Sequence, residues 1–366
     1  MVTDEGPEKT KNHEPLVSIL VLNYNGKKFL KECYDSILRS TYRNYEIVLV
    51  DNNSNDDSVV FTQACYPMVK VIQTHRNAGY SRAYNIAFNE ARGKYYILLN
   101  NDVVVAENWL EPLVSVAEKN KKIGALQPKI LSLIDDGYFE YAGASGGFLD
   151  KYGYPFLRGR IFYTIERDDG QYDDDSFVFW TSGAAMFVRA EALEKSGNLD
   201  EDFVHHMEEI DLCWRLHLVD YRLKVIPESV IYHYAGATIK VDSFKKIYWN
   251  HRNGIFTLIK NLEKGQLAKK LIIRYLLDMI NIIHATIGQF DFKHAFAIIK
   301  SHVWLLFHIR LLIKKRKEVQ KIRIAPDSAY KFLIYPKILV FDYFLKRKKT
   351  FSSLNFQIEQ PPQSHE

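Results

Sequence analysis

The sequence predicts an α/β protein in which buried parallel strands alternate with helices, followed by a helical C-terminal extension. Two observations support this prediction. Between Val17 and Lys129, short apolar runs alternate with longer amphipathic stretches, the pattern of a βαβ sheet covered on both faces. The chain has 366 residues, of which 47% are hydrophobic, which is enough for one large core. This composition excludes a mainly disordered protein.

Each predicted strand is a short apolar run, and each predicted helix is a longer stretch with one apolar face. The strands are Val17 to Leu22, Glu46 to Val50, Val69 to Gln73, Tyr95 to Leu99 and Ile123 to Gln127. The helices between them are Lys28 to Ser40, Asp56 to Cys65, Tyr80 to Ala91 and Trp109 to Asn120. Farther along, the Gly- and Asp-rich stretch Leu131 to Ser176 predicts irregular loops. A helix from Glu201 to Leu218 and a strand near Leu223 to Ile226 complete the predicted body.

The residues just after the first four strands are unusually polar. They read Asn23-Tyr24-Asn25, Asp51-Asn52-Asn53-Ser54, His75-Arg76-Asn77 and Asn100-Asn101-Asp102. In open α/β sheets, ligands bind at the carboxyl ends of the strands. We therefore expect a ligand site along this edge of the sheet.

Two carboxylates stand out at this edge, and each has a plain alternative. Asp51 can accept hydrogen bonds from a nucleobase or a ribose, or it can simply cap the next helix. Asp102 can bind Mg²⁺ or Mn²⁺ that bridges two phosphates, or it too can cap a helix. The first strand is followed by Asn23-Tyr24-Asn25-Gly26 and not by GxGxxG, which argues against a dehydrogenase.

A third cluster of acidic and His residues lies between Leu199 and Arg215, interleaved with large apolar ones. Because crowded carboxylates raise one another's pKa, Glu208, Glu209 and Asp211 are candidates for a general base near neutral pH. A solvated helix face is the alternative. His233 is a possible metal ligand or, equally, a core residue among aromatic neighbours.

The formal net charge of +5 is the sum of two unequal halves. Residues 1 to 239 hold 25 basic and 35 acidic side chains, whereas residues 240 to 366 hold 24 basic and 9 acidic side chains. Predicted helices at Leu271 to Ile287 and Phe292 to Ile313 have apolar faces, and the second ends in Lys314-Lys315-Arg316-Lys317. This pattern is typical of helices that lie on an anionic membrane, although helices that cap the core are the alternative. Nucleic-acid binding is a further alternative, but no nucleic-acid-binding signature accompanies the basic clusters, so we expect no such partner.

Other features indicate a cytoplasmic protein at the membrane surface. Three well separated cysteines encode no disulfide framework and no zinc site. Residues 1–15 contain no apolar signal-peptide segment and predict a disordered lead-in. No uncharged apolar run reaches about 18 residues, so we expect no transmembrane helix. Residues 351–366 predict a polar tail.

Taken together, the motifs resemble glycosyltransferase family 2, a family of inverting enzymes with the GT-A (nucleotide-diphospho-sugar transferase) fold, and in particular its bacterial rhamnosyltransferase-like members. The resemblance spans Val17 to about Asn261. It is carried by Ser18 to Asn25, Asp51-Asn52-Asn53-Ser54, Asn77-Ala78-Gly79, Asn100-Asn101-Asp102 and Trp180 to Met186. It implies a GT-A catalytic domain at 16–261 and a membrane-associating helical extension at 262–350.

The resemblance also implies roles for individual residues. Asn100-Asn101-Asp102 stands at the family's DxD motif, so Asp102 would hold a divalent cation, Mg²⁺ or Mn²⁺, with His233 as a further ligand. The family's Glu-Asp pair corresponds to Glu208-Glu209, which makes Glu209 the aligned base and Asp211 the reserve candidate. The implied donor contacts are Asn23, Tyr24, Asp51, Arg76 and Asn77, together with Asp102.

The function implied is transfer of a sugar, with rhamnose as the candidate, from a nucleoside diphosphate sugar to a hydroxyl of a glycan or lipid-linked oligosaccharide. The enzyme would act at the inner face of the plasma membrane in cell-surface polysaccharide synthesis. The alternative is a non-catalytic module that binds a nucleotide sugar or scaffolds an assembly complex. Turnover of any nucleotide sugar distinguishes the two.

Overall fold

The computed structural model of the protein describes residues 14–234 and 243–358. Residues 1–13 of the predicted lead-in and residues 359–366 of the predicted tail lie outside the described residues.

A mixed sheet of nine strands forms the centre of the described chain, and five short strands form a second sheet. The strands are β1 (Val17–Asn23), β2 (Tyr45–Asp51), β3 (Lys70–Gln73), β4 (Tyr95–Asn100), β5 (Val103–Val105), β6 (Ile123–Ser132), β7 (Gly147–Asp150), β8 (Pro155–Leu157), β9 (Arg160–Ile161), β10 (Thr164–Ile165), β11 (Ser176–Phe177), β12 (Ala185–Arg189), β13 (Arg222–His233) and β14 (Ile334–Tyr335).

Helices cover the central sheet and make up most of the C-terminal part. They are α1 (Lys27–Leu38), α2 (Ser58–Cys65), α3 (Gly79–Phe88), α4 (Leu110–Lys119), α5 (Ala190–Ser196), α6 (Glu208–Leu218), α7 (Phe244–Asn261), α8 (Lys264–Ile283), α9 (Phe292–Phe307), α10 (Ile309–Ile322) and α11 (Leu339–Phe344). A π-helical turn, His284–Gly288, continues α8.

The parallel half of the sheet confirms the βαβ prediction. Strand β1 pairs in parallel with β2 and β4, and β2 pairs in parallel with β3. The four observed strands agree with the predicted bounds to within one residue at each end. Almost every residue of β1 is buried, because helices cover both faces of a parallel sheet. The carboxyl ends of these strands therefore meet at one edge.

The other half of the sheet differs from the all-parallel prediction. Strand β12 lies between β4 and β6 and runs antiparallel to both. The chain leaves β6 at Ser132 and passes through the second sheet. It adds the short edge strand β11 to the central sheet and then enters β12 at Ala185, which pairs with Leu99 near the carboxyl end of β4. Because this excursion contains no crossover helix, the chain returns at the end where it left and must run in the opposite direction.

Helix α6 starts later than predicted, at Glu208 and not at Glu201. The two residues before it, His206 and Met207, have φ angles of 66° and 72°. This left-handed conformation is incompatible with a continuous right-handed helix. The Glu208-Glu209 pair therefore occupies the first helical turn.

The C-terminal part shares the core of the sheet body. Leu262, Leu305, Leu312 and Val319 belong to the same buried cluster as residues of the central sheet. Strand β14 pairs with β7 of the second sheet. The predicted boundary at residue 262 consequently does not separate two hydrophobic cores.

The predicted polar tail begins with packed residues. Phe351 and Leu354 are buried, and the Phe351 ring centroid lies 5.3 Å from that of Phe148 and 6.0 Å from that of Phe156. The prediction that residues 351–358 are part of a polar tail is wrong, because these aromatic contacts complete the core of the second sheet.

The two predicted C-terminal helices are present with different bounds. Helix α8 begins earlier, at Lys264, and the second helix is broken at His308, with a bend of 74° between α9 and α10. By length and composition alone, Lys264–Gly288 is apolar enough to cross a membrane. The expectation that no transmembrane helix is present rested on uncharged runs, and this segment contains Arg274 and Asp278, so the two criteria differ and the expectation stays a prediction.

Candidate functional site

The carboxyl ends of three strands join in one hydrogen-bond network. Asn23 ends β1 and Asp51 ends β2, and the two residues are register partners. The Asn23 amide donates to Asp51 Oδ1 over 3.0 Å, and Asn101, just after β4, donates to Asn23 Oδ1 over 2.6 Å. The sequence predicted that these strand ends meet, and the structure confirms it.

Asp51 and Asn23 form the floor of this edge. Both are fully buried, and the second Asp51 oxygen accepts a hydrogen bond from the Ser54 backbone N–H at 3.0 Å. A buried carboxylate needs such donors, which here come from the chain itself. The two side chains thus hold the strand ends in place, and their predicted contact with a donor stays a prediction.

The exposed predicted contacts lie above this floor. Tyr24 is 49% exposed, and Arg76 and Asn77 are exposed as well. Asn77 Oδ1 accepts from Asn52 Nδ2 at 3.0 Å and from the Gly79 N–H at 3.1 Å. Gly79 has a φ angle of +76°, which glycine adopts without strain. Tyr24 and Arg76 thus remain the side chains best placed to reach a ligand.

The predicted metal ligands are adjacent. His233 is the last residue of β13 and pairs with Val103, the first residue of β5. The His233 ring therefore lies next to Asp102, the residue just before β5. His233 Nε2 lies 3.0 Å from Asp102 Oδ1, and His233 Nδ1 lies 3.4 Å from Glu140 Oε1. The imidazole consequently sits between two carboxylates.

These carboxylates determine the charge of His233. Burial by itself would lower the pKa of this imidazole, but Glu140 and Asp102 outweigh burial and raise the pKa to about 10. In the absence of a cation, His233 is therefore protonated and neutralises part of the charge of its two neighbours.

Asp102 and His233 fit a divalent cation that takes its remaining ligands from a substrate. A carboxylate oxygen and an imidazole nitrogen are both common ligands of such cations. Glu140 contacts the other ring nitrogen, as outer partners of metal-bound histidines do. Within residues 14–234 and 243–358, no cluster of three or more His, Cys, Asp or Glu is arranged to hold a cation alone. Phosphate oxygens would complete the coordination.

The Glu208-Glu209 pair lies in the first turn of α6. Burial, and then the charge of Glu209, raises the pKa of Glu208 well above its ordinary value. Burial also raises the pKa of Glu209, to about 7. Since a general base works best with a pKa near the working pH, Glu209 has the properties of a base.

The turn before this pair is held by helix α7. Asn253 Nδ2 donates to the His205 carbonyl at 2.8 Å and to the His206 carbonyl at 2.7 Å. His206 and Met207 occupy the left-handed region, which is costly for bulky side chains. Asn253 therefore fixes a strained turn that positions Glu208 and Glu209.

The loop at Gly183 and Ala184 joins Tyr80 of α3 to the end of β4. The Tyr80 hydroxyl donates to the Gly183 carbonyl at 2.9 Å, and the Asn100 N–H donates to the Ala184 carbonyl at 3.0 Å. Burial, together with the charges of Tyr84, Glu208 and Glu209, raises the pKa of Tyr80. Tyr80 therefore lies between the Glu pair and this loop.

Asp211, the reserve candidate for the base, is engaged in buried ion pairs. It is fully buried and ion-paired with Arg215 Nε at 2.9 Å and Lys260 Nζ at 2.9 Å, and it accepts a hydrogen bond from Asn261 at 3.0 Å. A base must be free to take a proton from a substrate. The Asp211 carboxylate instead joins α6 to the end of α7.

We expect Asp211→Asn to lower the free energy of unfolding by about 3 kcal/mol, because it leaves two buried cations without their shared partner. Urea denaturation measures this change. The matched control is Glu191→Gln, since the Glu191–Lys195 pair has the same i,i+4 spacing on an exposed helix. The control should change the free energy of unfolding far less, because solvent screens this exposed pair. Equal losses in the two variants would contradict a structural role for Asp211.

Several site residues had no recognisable signal in the sequence. Glu140 lies in the irregular stretch after β6, and Asn253 lies in a helix that the motifs do not reach. Tyr80 directly follows the Asn77-Ala78-Gly79 motif, and that proximity was the one available indication. All three act through tertiary contacts, which spacing along the chain does not encode.

Comparison with known sequences identifies relatives of this chain. Residues 18–191 match the model of "Glycosyl transferase family 2". Glycosyltransferase GlyG of Streptococcus pneumoniae is 32% identical over 41% of this chain and 46% of its own length. The N-acetylglucosaminyl-diphospho-decaprenol L-rhamnosyltransferase of Mycobacterium tuberculosis is 25% identical over 65% of this chain and 82% of its own length. The chain thus spans less than half of the pneumococcal relative.

Solved structures show the same fold. The crystal structure of GalNAc-T7 with UDP, GalNAc and Mn²⁺ superposes with a TM-score of 0.54 and 18% identity, over 68% of this chain and 48% of the other. At this identity the likeness concerns the fold, which is a GT-A-type glycosyltransferase fold with a mixed sheet.

The family match contains the network at the strand ends, Asp102 and the loop around Gly183, and it stops before Glu208 and His233. With the motif order and the GT-A-type fold, the match makes residues 18–191 of this chain similar to glycosyl transferase family 2.

Proposed function

We propose that this protein is an inverting glycosyltransferase that moves a sugar from a nucleoside diphosphate donor to a hydroxyl of a glycan or lipid-linked oligosaccharide. The reaction would serve cell-surface polysaccharide synthesis at the cytoplasmic face of the plasma membrane. Rhamnose is the candidate sugar, supported by the name of the mycobacterial relative.

One observation carries the proposal. Glu209, a partly buried carboxylate with a pKa of about 7, stands in the first turn of α6, and the Asp102–His233 pair stands at the carboxyl edge of the central sheet. A base and a cation-binding pair are the two parts that transfer from a diphosphate donor requires.

The step is a single displacement. The acceptor hydroxyl gives its proton to the Glu209 carboxylate while its oxygen forms a bond to the anomeric carbon. The bond between that carbon and the diphosphate breaks on the opposite face, and the nucleoside diphosphate leaves with the electron pair. The configuration inverts, and the transition state has oxocarbenium character. A well placed base contributes roughly 10² to 10⁴ in rate.

On the donor side, Asp102 and His233 would hold a divalent cation, which when bound would supply positive charge to the leaving diphosphate. His233 must release its Nε2 proton to ligate, and Glu140 can retain the proton on Nδ1. Tyr24 can stack on the base, and Arg76 can donate to ribose or phosphate.

Thermal unfolding with nucleoside diphosphates tests the donor site. We expect one of the uridine, thymidine and guanosine diphosphates to raise the melting temperature by a few degrees at about 100 times its Kd, and only with Mn²⁺ present. The control is Mn²⁺ alone. Equal shifts with and without Mn²⁺ would contradict the assignment of Asp102 and His233. Binding without turnover in a panel of donor sugars would favour a non-catalytic module.

A further inference from the structure

Helix α8 buries its charged residues and exposes its apolar residues, the reverse of an ordinary surface helix. Its charged residues Arg274 and Asp278 face the protein and are 3% and 0% exposed. Large apolar residues on its other side face outward: Ile272, Leu276, Met279, Ile280 and Ile283, each at least 50% exposed. A helix that caps a core in water buries its apolar stripe, so capping does not explain this orientation.

The buried charges attach α8 firmly to the body. Asp278 Oδ2 lies 3.0 Å from His302 Nε2 on α9, and Asp278 Oδ1 lies 3.1 Å from His251 Nδ1 on α7. The Arg274 guanidinium stacks over the Tyr154 ring at 3.8 Å and donates to the Tyr152 carbonyl. Three separate parts of the protein therefore hold the polar side of α8.

The apolar surface continues along the chain into α9 and the start of α10. Of the 27 large apolar side chains that the described residues expose, 15 lie between residues 272 and 313. We name these 15 the α8–α9 apolar face: Ile272, Leu276, Met279, Ile280, Ile283, Ile287, Phe290, Phe292, Phe296, Ile299, Val303, Leu306, Phe307, Ile309 and Ile313. So large an exposed apolar concentration marks an interaction surface.

Basic side chains accompany this face. Between Lys264 and Ile322 the structure exposes eight Lys and Arg residues, against two acidic residues, Asp291 and Glu318. At 100° per residue, Lys293 and Lys300 flank the apolar stripe of α9, and Lys269 lies at the N-terminal end of the α8 stripe. The partner must therefore be both apolar and anionic.

We propose that the α8–α9 apolar face lies in the headgroup layer of an anionic lipid bilayer, with α8 parallel to the membrane surface. This inference rests on the proposed function, because it supplies the surface on which a lipid-linked acceptor is presented. An apolar helix face with flanking cations is the pattern of interfacial helices. Crossing the bilayer would require α8 to withdraw Arg274 and Asp278 from their buried partners, at high cost.

Helix α7 connects this surface to the catalytic turn. One side of α7 presents Asn253 to the carbonyls of His205 and His206. Another side packs on α9, where the Arg252 guanidinium lies 4.6 Å from the centre of the Trp304 ring. The bilayer would thus lie one helix layer away from Glu208 and Glu209.

Vesicle flotation with the full-length protein tests the proposal. The probes are vesicles of phosphatidylcholine alone and of phosphatidylcholine with phosphatidylglycerol at 3:1. We expect the protein to float with the anionic vesicles. Leu276→Glu combined with Phe296→Glu should lower the partition coefficient at least about 10-fold, because each change places a charge in the apolar layer. The matched control, Val60→Glu with Ile134→Glu, alters residues of equal exposure elsewhere (65% and 64%) and should float normally.

A second variant tests the cations. Lys269→Gln, Lys293→Gln and Arg310→Gln together should weaken binding to anionic vesicles about 100-fold, since each cation near such a surface contributes roughly fivefold. Binding to neutral vesicles should change little.

Three results would overturn the proposal. In the first, the apolar variant floats like its control. In the second, the wild-type protein binds duplex DNA and no vesicles. In the third, the wild-type protein binds no vesicles and is a dimer, whereas the apolar variant is a monomer. Hydrolysis of the donor sugar in the absence of vesicles is measured in the same variants and should be unchanged. That readout tests the proposed chemistry independently, so loss of docking and loss of function remain distinguishable.

Discussion

Replacing Glu209 by Gln should lower turnover by about 10² to 10⁴, with the melting temperature within a few degrees of the wild-type value. The amide has the size of the carboxylate but cannot take the proton of the acceptor hydroxyl. Release of nucleoside diphosphate at saturating donor and acceptor measures the effect. The KM for the donor should change little, because Glu209 is assigned to the acceptor side of the reaction.

The pH dependence of the reaction rate provides a second test of Glu209. Burial raises the pKa of Glu209 to about 7, and a general base acts only when deprotonated. The rate of the wild-type enzyme should therefore rise with pH through about 7 and level off above it. In Glu209→Gln this rise should disappear. A wild-type rate that falls over the same interval would contradict the assignment.

The neighbouring carboxylates provide the controls. Glu208→Gln should have a small effect, because burial and the charge of Glu209 raise the pKa of Glu208 and favour its neutral form, whose shape Gln reproduces. Glu209→Asp should retain the base but shorten its reach by one methylene, and a displacement of about 1 Å can cost about 100-fold. If Glu208→Gln abolished the reaction while Glu209→Gln did not, the base would be Glu208.

The parallel half of the fold and the position of the site could be predicted from the sequence because both follow from local patterns. Apolar runs such as those of β1 and β4 define buried strands, and the polar residues at their ends define the ligand edge. The adjacency of Asp102 and His233 was also predicted, although 131 residues separate them in the sequence. That prediction came from motif order, not from spacing.

The rest depended on tertiary contacts. The burial of Asp51 results from the donors of Asn23 and Ser54, and the pairing of Asp211 with Lys260 results from the docking of α7. The start of α6 depends on backbone angles at His206 and Met207, where the residue type gives no signal for a left-handed turn.

The C-terminal helices show what hydrophobic periodicity can and cannot predict. It correctly separated Arg274 and Asp278 from the apolar residues of α8. It could not tell which side faces the protein, because an amphipathic pattern is compatible with burial of either face. The contacts of Asp278 with His251 and His302 settle that question.

Removing the charge of Asp102 should have the other large effect. We expect Asp102→Ala and Asp102→Asn to lower sugar transfer by at least about 10³-fold, because the leaving diphosphate loses the charge stabilisation that the site supplies. Asn keeps an acceptor for His233, so Asp102→Asn should unfold close to the wild-type temperature even if Asp102→Ala does not. Nucleoside diphosphate release measures activity, and the Mn²⁺-dependent thermal shift measures binding separately.

Glu140→Gln provides a graded comparison for this effect. Glu140 contacts His233 Nδ1 and not the proposed cation position, so its loss should weaken Mn²⁺ affinity about 10- to 100-fold without abolishing transfer at high Mn²⁺. Raising the Mn²⁺ concentration should thus rescue Glu140→Gln and leave Asp102→Asn inactive. Full activity of Asp102→Asn at low Mn²⁺ would exclude Asp102 as a cation ligand. Equal rescue of both variants by Mn²⁺ would indicate that Asp102, like Glu140, orients His233 and does not bind the cation.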